Sequence, residues 1–133
     1  MTPAPRILVA DDQKEMLKEV ILILSDEFSV IAAAHDGEGT LKLATSLHPD
    51  VLILDISMPG CNGIEVASRL KKIGSNARII FLTVHDDPEF VEAALSVGAL
   101  GYVLKMCITA DLVPAIWAAI EGRVFISPEM QRQ

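Results

Sequence analysis

Aromatic residues are scarce in this chain, with one Trp, one Tyr and four Phe among 133 residues. The core must therefore be built from Ile, Leu, Val and Ala, and hydrophobic residues make up 51% of the sequence, a composition that suits helices layered on a sheet. Positive charge is scarce as well. Eleven Lys and Arg stand against eighteen Asp and Glu, a formal net charge of -7, and no basic run occurs anywhere. Such a chain lacks the electrostatic footprint of a nucleic-acid binder. There are only two cysteines, Cys61 and Cys107, and they form neither a zinc spacing nor a CxxC, so reduced thiols are expected. No apolar run reaches the roughly 18 residues of a membrane span. The opening Met1-Thr2-Pro3-Ala4-Pro5 is not a signal peptide. These absences lead to the expectation of a soluble, cytoplasmic protein without a membrane partner, and its length suits one core.

What is present is a repeated alternation of short apolar runs with helical stripes. Arg6 to Ala10 ends in Asp11-Asp12, and Leu17, Val20, Ile21 and Leu24 follow at helical spacing. Phe28 to Ala33 reads as a second strand, and Thr40, Leu43, Ala44 and Leu47 form the next stripe, stopped by His48-Pro49. Val51 to Leu54 runs straight into Asp55 and then the turn signal Met58-Pro59-Gly60, after which Gly63, Val66, Leu70 and Ile73 share a helical face up to Gly74. Arg78 to Leu82 is a fourth strand ending at Thr83. Asp87-Pro88 reads as a cap and first turn, with Val91, Ala94 and Leu95 facing inward until Gly98. Leu100 to Leu104 is a fifth strand ending at Lys105, and Leu112, Ala115, Ile116, Ala119 and Ile120 mark a last helix closed by Gly122.

Five βα units with short connections require right-handed crossovers. The expected fold is α/β: a doubly wound, flavodoxin-like, five-stranded parallel sheet in the order 2-1-3-4-5, with helices on both faces. Residues 1–122 are expected to form the domain and 123–133 a tail or the start of a linker. Pro114 conflicts with a helix capped at Thr109, because its ring would meet the carbonyl of Ala110. The last helix is therefore expected to begin near Asp111 or to be distorted in its first turn.

The strand ends carry chemistry. In this order Asp11, Asp12, Asp55, Thr83 and Lys105 all lie at one sheet edge, the edge where open α/β sheets bind ligands. Each has an ordinary explanation when taken alone: Asp12 as a cap, Asp55 and Thr83 as turn residues, Lys105 as a solvated charge. Their convergence is harder to explain that way. Three carboxylates need a cation, and an oxygen-rich site with few ligands suits Mg²⁺, with Asp12 and Asp55 as direct or water-mediated ligands. Lys105 and Thr83 can contact phosphoryl oxygens, and Asp55 can attack phosphorus to give an aspartyl phosphate.

Leu8-Val9-Ala10-Asp11-Asp12, Asp55-Ile56-Ser57-Met58-Pro59 with Gly63, Leu82-Thr83 and Gly101-Tyr102-Val103-Leu104-Lys105 together resemble the receiver domain of bacterial two-component response regulators. The resemblance covers residues 6 to about 122. It implies that Asp55 accepts phosphate from the phosphohistidine of a sensor histidine kinase, and that Asp11, Asp12, Asp55 and the Ser57 backbone carbonyl arrange Mg²⁺. It also implies that Thr83 and Tyr102 move on activation. The only chemistry expected is self-phosphotransfer and autodephosphorylation, so the chain is not read as a turnover enzyme.

Glu121 to Met130 resembles the joint that precedes a helix-turn-helix output domain in NarL/FixJ-type (LuxR-type) regulators. This implies control of transcription in a longer parent, with DNA bound only through an output domain absent from this chain. Val113, Trp117 and Ile120 form a second apolar stripe on the last helix, read either as a homodimer face used on phosphorylation or as packing on its own flank.

Three departures from the family pattern stand out. Val84 replaces a small residue, which implies narrower phosphate access. Met106 follows Lys105 where many receivers have Pro, so a trans bond is expected. The third is Pro114. His85 reads either as a loop histidine or as a group that tunes phosphoryl hydrolysis. The rival functions are a Mg²⁺-dependent phosphohydrolase with an aspartate nucleophile and a stand-alone interaction module. The hydrolase pattern places its nucleophile after the first strand with a carboxylate two residues on; here Asp55 follows the third strand and Ser57 stands at that place.

Overall fold

Alternate residues of each apolar run face opposite sides of one sheet, and both sides are covered. Leu8, Leu52, Leu54, Phe81, Tyr102 and Leu104 enter one core layer, while Ile7, Val9, Val51, Ile53, Ile80 and Val103 enter the other. The computed structural model describes residues 3–132. Its elements are β1 (Arg6–Ala10), α1 (Lys14–Leu24), β2 (Ser29–Ala34), α2 (Gly37–Leu47), β3 (Val51–Leu54), α3 (Gly63–Lys72), β4 (Arg78–Thr83), α4 (Pro88–Ser96), β5 (Gly101–Leu104), α5 (Ile108–Ile120) and β6 (Phe125–Ile126). Helices α1 and α5 cover one face through Leu17, Val20, Leu24, Leu112, Ala115 and Ile116. Helices α2, α3 and α4 cover the other through Ala44, Val66, Ala67, Leu70 and Ala94.

The strands are all parallel and run in the order β2-β1-β3-β4-β5-β6. The expected order of the first five strands is present, but the sheet has six strands rather than five. Phe125 and Ile126 pair with Gly101 and Tyr102 and extend the far edge. Residues expected as a tail or linker thus supply a strand and, at Met130, a side chain of the core.

Local signals explain most boundaries. Asp36 and Asn62 cap α2 and α3 by accepting the N–H groups of Gly39 and Glu65. Gly98 and Gly122 follow α4 and α5 at φ 88° and 77°, a left-handed backbone that side-chain-bearing residues disfavour. Asp87 stands at the α4 cap position with Pro88 in the first turn, but its side chain makes no cap bond.

The last helix requires a correction. It begins at Ile108, after a 3-10 turn over Lys105–Cys107, and continues through Pro114. Pro114 and Ala110 are both exposed, so the bond that Pro114 cannot donate is lost on the solvent side, where water can satisfy the Ala110 carbonyl. Leu95, expected to face inward, is exposed. Ile21 and Ile73, which share the apolar stripes of α1 and α3, are exposed as well, Ile21 at the margin of its stripe and Ile73 at the helix end. The peptide bonds are all trans among the described residues, and neither Cys61 nor Cys107 is in a disulfide. No helix among the described residues is long and apolar enough to cross a membrane.

Candidate functional site

Strands β1 and β3 are hydrogen-bonded neighbours, with Ala10 paired to Leu54, so the residues that follow them emerge side by side. The Asp55 N–H bonds the Ala10 carbonyl at 3.0 Å, and the Asp11 N–H bonds the Ala34 carbonyl at 3.1 Å. These two bonds extend the ladder by one step and fix both acids at the rim. Asp11 and Asp55 are buried, while Asp12 is exposed. One carboxylate oxygen from each of the three lies within 4.8 Å of the others.

Lys105, delivered by the end of β5, reaches over β4 to this cluster. Its Nζ lies 2.9 Å from Asp11 Oδ2 and 3.1 Å from Asp55 Oδ2. Burial pulls the Lys105 ammonium down, but the carboxylates of Asp11 and Asp55 outweigh it and hold the group above its ordinary value. Asp55 shifts upward: burial raises it, Lys105 opposes the rise, and the neighbouring charge of Asp11 adds to it.

The loop after Asp55 is held by close packing. The Gly63 N–H bonds the Ile56 carbonyl at 2.8 Å, which brings the start of α3 against the backbone of Asp55 and Ile56. Met58 and Cys61 are buried beneath the turn, whereas Ser57 is exposed at the lip. An open depression of about 530 Å³ adjoins the cluster, lined by Asp12, Ser57, Met58, Asn62, His85 and Phe90 among others. Val84 is exposed on the loop after β4.

Thr83 and Tyr102 are both without exposed surface and are joined through one residue. Thr83 Oγ1 accepts the His85 N–H at 3.3 Å, and the Tyr102 hydroxyl donates to the His85 carbonyl at 2.7 Å. Tyr102 is thus already inside. Burial, with Asp86 and Asp87 adding to it, pushes its phenol far above the ordinary range and keeps it a neutral donor. The imidazole of His85 hydrogen-bonds the Ser57 hydroxyl through Nε2 at 2.8 Å and stacks on Phe90, with ring centroids 4.2 Å apart. The Ser57–His85 bridge was not read from sequence. Its one available signal is that both residues follow adjacent strands, β3 and β4, at the same edge.

The structure brings Asp11, Asp12, Asp55 and Lys105 together at this edge with Ser57 at its lip, while Thr83 and Tyr102 bond the backbone of the β4 loop behind it. Residues 7–117 match the family described as the response regulator receiver domain. The chain belongs to that family. This receiver domain is 38% identical over 127 residues to the uncharacterized transcriptional regulatory protein YvfU of Bacillus subtilis, covering 94% of this chain and 64% of that one. It is 35% identical over 123 residues to the nitrate/nitrite response regulator protein NarL of Escherichia coli, covering 91% and 57%. Among solved structures, it is similar to a LuxR-family two-component response regulator from Aurantimonas sp. SI85-9A1. The TM-score is 0.92 at 30% identity, over 97% of this chain and 94% of that one. The receiver spans a little over half to about two thirds of the length of the curated relatives it matches, 54% for DegU of Brevibacillus brevis and 64% for YvfU.

Receiver domains bind Mg²⁺ at an acidic pocket, and the donor set here fits it. Three hard carboxylate oxygens converge beside an open depression, and a hard divalent ion prefers such ligands while keeping several waters.

Proposed function

We propose that Asp55 is the phosphoacceptor of this receiver and that the phosphoryl donor is the phosphohistidine of a sensor histidine kinase. The observation that carries the reading is the bridging of Asp11 and Asp55 by the Lys105 ammonium at an open sheet edge. Asp11, Asp12, Asp55 and the Ser57 carbonyl would hold Mg²⁺, which when bound offsets charge on the incoming phosphoryl group. A carboxylate oxygen of Asp55 attacks phosphorus as the P–N bond breaks. The electron pair leaves on the imidazole nitrogen, and an acyl phosphate remains on Asp55. Lys105 is placed to pair with the phosphoryl oxygens, and the Thr83 hydroxyl, now facing the His85 N–H, is the donor that would turn toward them.

The Thr83 move explains how the charge event spreads. His85 is held at its N–H by Thr83 and at its carbonyl by Tyr102, so displacing Thr83 loads the same turn that anchors Tyr102. We infer control of transcription in a longer parent, with DNA bound by an output domain. RcsB, a response regulator 28% identical to this chain, has been solved as two dimers bound to two parallel DNAs. In this chain Trp117 leans on Phe28 with ring centroids 5.0 Å apart and stays 39% exposed, which leaves part of the α5 stripe available to a second copy. The chain is read as acting on itself and not as a turnover enzyme. Ser57, where an aspartate-nucleophile phosphohydrolase would carry its second carboxylate, favours this reading over the hydrolase.

The test is phosphotransfer from a phosphorylated histidine kinase domain in the presence of Mg²⁺. Label is expected to leave the kinase and appear on this chain as a base-labile acyl phosphate. Equal labelling of an Asp55→Asn variant would refute the assignment.

A further inference from the structure

The C-terminal extension meets the phosphoacceptor edge through one buried hydroxyl. Ser127 has no exposed surface. Its N–H bonds the Tyr102 carbonyl at 2.8 Å, its Oγ accepts the Leu104 N–H at 3.1 Å, and the same hydroxyl donates to Asp111 Oδ2 at 2.8 Å. Strand β6 ends at Ile126, so the next donor along the outer edge of β5 is met by a side chain and not by another backbone carbonyl. That donor belongs to Leu104, the residue immediately before Lys105. Asp111, itself buried, ties the same hydroxyl to the first turn of α5. A buried hydroxyl bonded on both sides holds its partners in place, because each bond it loses leaves a buried polar group unpaired.

We propose that Ser127 is a positioning residue for Lys105, and that this clasp couples phosphorylation of Asp55 to the order of the extension over residues 123–130. The proposal rests on the reading of Asp55 as phosphoacceptor. Phosphorylation adds phosphoryl oxygens to the partners of Lys105, and any shift of that residue strains the adjoining peptide held by Ser127. Coupling of this kind is reciprocal, so loosening the clasp must weaken the phosphorylated state in turn.

The full chain is treated with acetyl phosphate and Mg²⁺, the adduct is followed by intact mass, and amide hydrogen exchange is read by NMR at Leu104 and Ser127. These two amides are the clasp itself, so wild type alone tests the coupling even if a variant folds poorly. Their exchange is expected to change on phosphorylation, while that of Val20 in α1 stays constant. Ser127→Ala is expected to slow adduct formation about three- to tenfold, the loss of one buried hydrogen bond expressed as a rate. Ser127→Thr, which keeps the hydroxyl, is expected to restore it. Unchanged exchange at both amides, a Ser127→Ala rate within about twofold of wild type, or a Thr variant no better than Ala would overturn the proposal. Absence of any adduct on wild type would remove the Asp55 reading, and the clasp with it.

Discussion

A Cβ placed on Gly63 would lie 2.1 Å from the carbonyl oxygen of Asp55. The start of α3 therefore packs directly on the backbone that carries the acceptor acid, and no side chain fits between them. Gly63→Ala must push that loop outward. Overpacking of this kind costs about 1–3 kcal/mol, and the displaced Asp55 is expected to weaken Mg²⁺ affinity. Urea unfolding with and without Mg²⁺ checks both effects, and a variant with wild-type stability and affinity would mean that the loop yields freely.

Lys105 supplies the positive charge that Asp11 and Asp55 share at 2.9 and 3.1 Å. Lys105→Met leaves two buried carboxylates facing each other. Removing one partner of a buried ion pair costs about 3–5 kcal/mol, and the partial exposure of this edge and the nearness of Asp12 place the expected loss at or below about 3 kcal/mol. Saturating Mg²⁺ is expected to recover most of the stability but not the rate of phosphorylation. Calorimetry across a Mg²⁺ series separates the two.

The upward shift of Asp55 sets a pH dependence in metal-free buffer. The folded protein holds the Asp55 proton more tightly than the unfolded chain, whose value is near 3.8. The stabilisation is thus present below 3.8 and is lost as pH rises through the raised folded value. Asp55→Asn escapes that loss, so it is expected to be more stable than wild type at neutral pH, with the difference shrinking toward pH 3.8. Lys105, also raised, keeps its contribution below 10.5 and loses it above. Urea unfolding in chelator over the acid range measures the Asp55 part, and a variant no more stable than wild type at neutral pH would count against it.

Tyr102 donates to the His85 carbonyl at 2.7 Å from a fully buried ring. Tyr102→Phe keeps the ring and removes the bond, at an expected cost of about 1 kcal/mol. Because the Tyr102 hydroxyl bonds the His85 backbone and not the Asp55–Lys105 pair, acetyl phosphate is expected to phosphorylate the variant at close to the wild-type rate. Stopped-time intact mass checks the rate. A large fall would place Tyr102 in the chemistry rather than behind it.

The parallel order of the first five strands and the convergence of Asp11, Asp12, Asp55, Thr83 and Lys105 were legible because apolar runs and helical stripes alternate, and each run ends on its polar residue. Lateral relations were not. Ser57 and His85 meet across 28 positions only because β3 and β4 adjoin. The two residues of β6 are too few to show a period, and Ser127 looks like an ordinary turn serine until its burial is known. The local rule for Pro114, a clash with the Ala110 carbonyl, does not contain the exposure of that side of the helix, where the helix runs through the proline.

Phosphorylation of Asp55 is tested by incubating the full chain with acetyl phosphate and Mg²⁺ and reading the intact mass. One phosphoryl adduct is expected on wild type, dependent on Mg²⁺, and none on Asp55→Asn. An adduct of equal yield on Asp55→Asn, or none on wild type, would contradict it.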